Sequence, residues 1–211
     1  IRRELCDEAL RLSLMLREDP AGASPDADAL IALMCFHAAR FEARVDVMGG
    51  LLLLEEQDRA LWDHELLERG LSHLTRSARG QSLSRYHVEA GLAAQHCLAP
   101  SYAETDWEEI VRLYDVLERI APSPLNVLNR AIALAEWQGA DVALAALQGF
   151  EAPSWLLGYY LWDATLGELY RRRGDSEQAL MHTERALSAA PTNPEKALLE
   201  RRIQKILASK K

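Results

Sequence analysis

Residues Tyr160–Pro191 read YLWDATLGELYRRRGDSEQALMHTERALSAAP, and this stretch decides the fold. Leu166, Gly167 and Tyr170 share one side of a first helix, and Gly174 ends it. Ala179, Ala186 and Leu187 stripe a second helix, and Pro191 closes the unit. The spacings have a physical reading. Gly167 and Ala179 are small enough for two antiparallel helices to approach closely. Tyr170 fills the space beside them, and glycine at 174 suits the left-handed end of a helix.

This unit is similar to the tetratricopeptide (TPR) repeat, whose pattern is W-x2-L-G-x2-Y, then A-x3-F, then proline, over 34 residues. Asp163 stands where that pattern has Trp, and Thr183 where it has Phe. Working outward, Gly139 precedes Gly174 by 35 residues and Pro122 precedes Pro191 by 69, about two repeats. Residues 125–150 therefore read as a degenerate copy, with Leu134, Ala135, Leu144 and Leu147 in its core. Trp137 and Trp155 flank the junction and are expected to be buried. The charged segment from Glu195 to Ala208 fits a solubilising terminal helix. Helix starts are marked three times. Thr105-Asp-Trp-Glu108 has the form of a capping box, and in Ser123-Pro124 and Asn193-Pro194 a cap residue is followed by proline at the first helical position.

The first half is helical without that period. Leu5, Ala9, Leu12 and Leu16 stripe one helix, and Leu30, Leu33, Met34 and Phe41 stripe another. Residues 44–57 break the pattern and predict an extended connector. It runs into Leu51–Asp63, LLLLEEQDRALWD, where Asp58 is placed to cap a helix bearing Arg59 and Trp62. The fold class expected is all-α: about ten helices in antiparallel pairs, forming a short right-handed TPR-like solenoid. Residues 1–104 form a helical half with the connector, and residues 105–211 form the repeats and capping helix, packed as one unit. A solenoid of this kind offers a concave groove to another protein or peptide.

Composition narrows the function. The 211 residues are 49% hydrophobic and carry a net charge of −8, which argues against gripping a nucleic-acid backbone directly. Three widely spaced cysteines and no CxxC predict reduced thiols in a cytoplasmic protein, and no apolar run is long enough to span a membrane. None of the six histidines stands in HExxH, and His96 and Cys97 are adjacent, so they project about 100° apart on a helix. No GxSxG or P-loop spacing occurs. The expectation is a protein that is not an enzyme and holds no metal or cofactor. The chain begins at Ile1 in residues already suited to helix, which predicts a segment of a longer polypeptide; Lys210 and Lys211 are expected to fray.

Candidate interaction or joint residues cluster in two strings. Asp46, Glu55, Gln57, Asp58, Arg59, Trp62 and Asp63 lie in and after the connector; Asn129 and Arg130 lie in PSPLNVLNRA. Paired carboxylates can perform acid–base work in a cleft. Acids at helix starts are the simpler reading of Asp46, Glu55, Asp58 and Asp63. Arg59 paired to a carboxylate over Trp62 would make either a structural clamp or an interface hot spot. Arg171-Arg172-Arg173 beside Gly174 is explained by the helix dipole.

Several segments together resemble one family: Ile1-Arg-Arg-Glu-Leu-Cys-Asp-Glu-Ala-Leu, Leu30-Ile-Ala-Leu-Met, LLLEEQDRALWD ending at Asp63, Thr105-Asp-Trp, PSPLNVLNRA and the closing TPR-like unit. They are similar to the C-terminal extension of a subgroup of bacterial extracytoplasmic-function (ECF) sigma factors. The resemblance runs along essentially the whole chain; QDRxxWD and SPxxxLNRA are its specific strings. It implies that the full-length protein binds core RNA polymerase and directs promoter-specific initiation. Sigma region-two and region-four modules would precede this segment and make any contact with promoter DNA. The extension would take the regulatory place that a separate anti-sigma factor fills elsewhere, binding those modules or polymerase. The chain departs from the family's form at Phe41-Glu-Ala, where a short Arg/Pro turn is usual. Two alternatives are a stand-alone TPR scaffold for a peptide segment and a small-molecule sensor with a pocket near Asp46–Asp63.

Overall fold

The computed structural model describes residues 3–209, so Ile1, Arg2, Lys210 and Lys211, and the fraying expected of the last two, lie outside the described residues. Among those residues the chain is all helical, with one isolated bridge between Val45 and Leu51 as its only extended pairing. Eleven α-helices follow one another: α1 (Arg3–Glu18), α2 (Pro25–Ala38), α3 (His64–Ser77), α4 (Arg85–Leu98), α5 (Trp107–Ile120) and α6 (Pro124–Gln138). Then come α7 (Ala140–Gln148), α8 (Ser154–Leu157), α9 (Tyr160–Arg173), α10 (Ser176–Ala189) and α11 (Asn193–Ala208). Chain neighbours pack on one another from α1·α2 to α10·α11, the order expected of stacked helix pairs joined by short turns.

The α9–α10 pair packs for the reason its spacing implies. A Cβ built on Gly167 would stand 2.5 Å from Thr183 Oγ1 and 3.3 Å from the Ala179 carbonyl, so the two helices touch nearly backbone to backbone. Thr183, where a repeat has Phe, is buried, and its hydroxyl donates to the Ala179 carbonyl at 2.7 Å. The small hydroxyl fits that crossing; a phenyl ring would not. Gly174 adopts φ +87°, and its N–H and that of Asp175 close the end of α9. Asp175 then caps α10 by accepting from Gln178 N–H.

Of three terminal signals, two resolve differently from the sequence expectation. Asp106, not Thr105, caps α5 by accepting from Glu109 N–H, while Thr105 is buried and donates to the Ser101 carbonyl. Thr192 rather than Asn193 caps α11, and Glu195 reaches back to the Thr192 N–H; Pro194 is then the second helical residue. Ser123 caps α6 with Pro124 first in the helix, as expected. Trp137 and Trp155 are 41% and 55% exposed, so neither belongs to the core. Each falls on the outer side of its helix.

Four apolar clusters fill the interior. The largest joins α4, α5, α6, α7 and α9 around Ile110, Leu117, Leu128, Leu144 and Leu169. A second joins α2, α3 and α4 around Phe36, Trp62, Leu67 and Ala94. Smaller ones join α1 to α2 through Leu10, Ile31 and Cys35, and α9 to α11 through Ala164, Ala186 and Leu199.

Candidate functional site: a central groove

The connector is compact rather than simply extended. Asp46 accepts from Met48 N–H and Gly50 N–H, both at 2.8 Å, making a tight loop that carries Gly49 at φ +81°. Leu54–Glu56 and Arg59–Leu61 are single 3₁₀ turns. Glu56 bonds back to the Leu53 N–H, and Asp58 accepts from Ala60 N–H at 2.9 Å. Asp58 is therefore a cap, but of the short turn alone. Trp62 lies beyond that turn, and α3 is capped separately by Asp63, which accepts from Leu66 N–H. The Asp63 N–H in turn donates to the Ala39 carbonyl at 2.9 Å, fastening the connector's end to the end of α2. These acids are occupied with backbone N–H groups.

Arg59 forms no ion pair among the described residues. Its Nη1 donates to the His96 and Ala99 carbonyls at 3.0 and 2.9 Å, closing the C-terminus of α4, and its guanidinium lies 4.4 Å over the Trp62 ring. Arg40 approaches the same ring at 5.4 Å and donates to Gln57 Oε1 at 3.2–3.3 Å. Trp62 is 4% exposed, so the clamp over it is structural.

The far end of the connector meets the last helix. Arg201 Nη2 donates to the Leu51 carbonyl at 2.6 Å and stands 3.8 Å from Glu56, and its Nη1 stands 3.8 Å from Asp46; Lys205 also faces Glu56. The contact spans 150 residues of chain and sets the connector beside the repeats.

Between these parts lies a groove made of two cavities. The larger, about 340 Å³, is lined by Leu53, Leu54 and Glu55 of the connector, Trp107, Ile110 and Tyr114 of α5, Ile132 and Glu136 of α6, Leu161, Glu168 and Arg172 of α9, and Arg202 of α11. The smaller, about 260 Å³, is lined by Leu33, His37, Arg40, Glu89, Leu92, Asn126 and others. His96, Tyr114 and Asn129 line both, so they form the neck between them.

The groove's polar groups are ordered. Tyr102 donates to Glu136 at 2.6 Å, and burial together with that bond pushes its phenol up. Arg172 bridges Glu136 at 2.6 Å and Glu168 at 2.8 Å, and Arg171 also bonds Glu168. Burial opposes ionisation of Glu168, but the bonds from Arg171 and Arg172 prevail, with the charge of Arg202 adding, and hold it at about 2. At the neck, burial and then the charges of Arg40 and Arg59 bring His96 down to about 4. Desolvation and then the charges of Arg44 and Arg40 shift His37 in the same direction, although the residue itself is exposed. Both rings are neutral near pH 7.

Of the residues singled out in the sequence, Glu55 and Asn129 line the groove directly, and Gln57 acts through Arg40. Asp46, Asp58, Arg59, Trp62 and Asp63 build the joint behind it. Arg130 stands apart, paired with Asp115 at 2.7 Å. Arg40, Tyr102, Glu136, Glu168 and Arg202 escaped the sequence reading, and His96 was weighed there only as a metal ligand. Arg172 was read there as one of three arginines answering a helix dipole, whereas it sits between two carboxylates in the groove.

Residues 1–78 match a family of unknown function, DUF6596. That match covers α1, α2, the connector and α3, including the QDRALWD string. Over 209 residues the chain is also 35% identical to an uncharacterized protein of Rhizobium meliloti (strain 1021), covering 99% of this chain and 48% of the relative. The chain thus spans about half the length of the curated relative it matches. No solved structure matches it. Among the described residues no helix is long and apolar enough to cross a membrane.

Proposed function

We propose that this chain is the regulatory, protein-binding region of a bacterial ECF sigma factor. In this reading the complete polypeptide binds core RNA polymerase and directs it to promoters, and this region binds the sigma modules or polymerase and sets their activity. One observation carries the reading. The two strings that resemble such extensions most specifically, QDRALWD and SPLNVLNRA, lie about 60 residues apart in sequence yet close together at one groove: Asn126 and Asn129 line it, and Gln57 and Trp62 stand behind it against Arg40, which lines its smaller cavity. Strings held in common for packing alone have no need to converge on a cavity.

The charge balance supports it. A net charge of −8 suits partners with basic helices and suits poorly a region that contacts DNA itself. The matched relative is about twice as long as this chain, which leaves room for further modules in a protein of that size.

The test is to mix residues 1–211 with separately expressed region-two and region-four modules, and to run promoter transcription with and without it. Stable binding together with a changed transcript yield is the expected outcome. No binding and an unchanged yield would overturn the reading.

A further inference from the structure

Three guanidinium groups gather at the narrow end of the groove. Arg40 and Arg59 both lie against the Trp62 ring, and Arg44 bonds the Nδ1 of His37, which lines the smaller cavity, at 3.2 Å. Among the described residues none of the three forms an ion pair. That is unusual in a chain with 32 acidic residues, where Arg172 alone holds two carboxylates. All three are half-buried, and even a partly desolvated cation without a carboxylate is costly unless something compensates it. Burial lowers the Arg40 guanidinium, and the charges of Arg44 and Arg59 add to that.

The compensation inside the chain is thin. Arg40 has only the neutral amide oxygen of Gln57. Arg44 Nε, Arg59 Nη2 and His96 Nδ1 are buried with no hydrogen-bond partner. Buried donors of this kind are nearly always satisfied in a working protein. Arg59 is otherwise engaged by carbonyls and Trp62, so Arg40 and His96, which line the cavity, are the groups free to meet a ligand.

Next to this cationic neck lies an apolar space. Leu53, Leu54, Trp107, Ile110, Leu161 and Leu169 wall the larger cavity. Of its three carboxylates, Glu136 and Glu168 are already neutralised by Arg172 and Arg171, while Glu55 is exposed to solvent. A volume of about 340 Å³ lies at the small end of the range for small-molecule pockets, roughly 300–1,000 Å³.

We propose that the groove binds a small organic anion, its oxyanion seated at Arg40 and the His96 Nδ1–H, its apolar body in the cavity between α5 and α9. A carboxylate and a phosphate ester share this chemistry, since a guanidinium presents paired N–H donors to either. The ligand would touch both the connector and the repeats, because Leu53 and Leu161 face one space. This inference needs only the chain itself and stands whether or not the partner is a sigma module.

Titration calorimetry on residues 1–211 tests it with octanoate, octyl phosphate, octanol and inorganic phosphate. Octanoate or octyl phosphate binds one molecule per chain, and the tighter of the two names the head group. Octanol, of the same length without charge, binds at least about tenfold more weakly, the loss expected when a charge-assisted bond is absent. Inorganic phosphate alone binds more weakly still, because it leaves the apolar cavity empty. Arg40→Gln weakens octanoate about tenfold and leaves octanol unchanged. Leu161→Trp, which fills the body of the cavity from a partly exposed position, weakens both. Should Arg40→Gln fail to fold, the octanoate-to-octanol ratio on the unaltered chain decides the matter alone. Equal binding of octanoate and octanol, no binding of either anion at millimolar concentration, or folded variants that bind octanoate like the unaltered chain would overturn it.

Discussion

The α9–α10 pair and the 44–63 connector are held together by opposite means. In the pair, shape does the work: Gly167 meets Thr183 and Ala179 at close range, and few polar bonds cross between the helices apart from His182 to Asp163 at 2.6 Å. In the connector, almost no regular structure exists. Its path is fixed by side chains bonded to backbone: Asp46, Glu56, Asp58 and Asp63 inside it, with Arg59 reaching α4 and Arg201 reaching in from α11. Shape-held packing stands or falls with single volumes. A bond-held loop spreads its stability over many small contacts around one large anchor, Trp62.

The sharpest way to break this comparison is at that anchor. Trp62→Ala removes the buried ring beneath Arg40 and Arg59 and should cost about 3–5 kcal/mol, read from chemical unfolding. An unchanged midpoint would mean the connector does not depend on its anchor. Gly167→Leu tests the shape-held side. Overpacking the α9–α10 crossing should cost about 1–3 kcal/mol. A neutral result would show that the crossing can open at little cost.

Acid sharpens the comparison from the groove side. His96 titrates at about 4 in the folded chain and near its ordinary value of 6.5 when unfolded. The unfolded chain therefore binds the extra proton first as pH falls. The stabilisation from a neutral His96 is complete above about pH 6.5 and is lost progressively down to about pH 4. His96→Asn should flatten the fall in melting temperature across that window; an identical pH profile would show that His96 is not desolvated.

Smaller effects follow at the caps. Asp63→Ala, which uncaps α3, should cost about 0.5–2 kcal/mol, and Asp58→Ala less, because it caps one 3₁₀ turn. Equal losses would place a longer helix at Arg59 than the structure shows. Arg201→Ala should cost least, under about 1 kcal/mol, since its ion pairs are partly exposed. It should still raise proteolysis within residues 46–56 if the α11 contact holds the loop.

The repeat half was legible because its constraints are local: a glycine, an alanine and a proline at fixed offsets specify one helix pair. The pattern also implied why Thr183 replaces Phe only after the Gly167 distance was known. Cap positions moved by one residue at Asp106 and Thr192, where two adjacent side chains can each accept the same N–H groups. The groove was legible in part. Glu55, Gln57 and Asn129 were marked by their strings, but Arg40, His96 and Arg202 look ordinary in sequence. Their meaning depends on which charged groups the fold sets around them, none paired to Arg40 among the described residues and Glu168 near Arg202, and that is a property of the tertiary arrangement alone.

The central proposal is that the groove joining the two halves is the surface on which this region would meet the modules of an ECF sigma factor. Calorimetric titration of residues 1–211, unaltered and with Leu161→Trp, against separately expressed region-two and region-four modules tests it most directly. The account predicts saturable binding by the unaltered chain and at least about tenfold weaker binding by the filled groove. No binding, or equal binding by a folded Leu161→Trp chain, would contradict it.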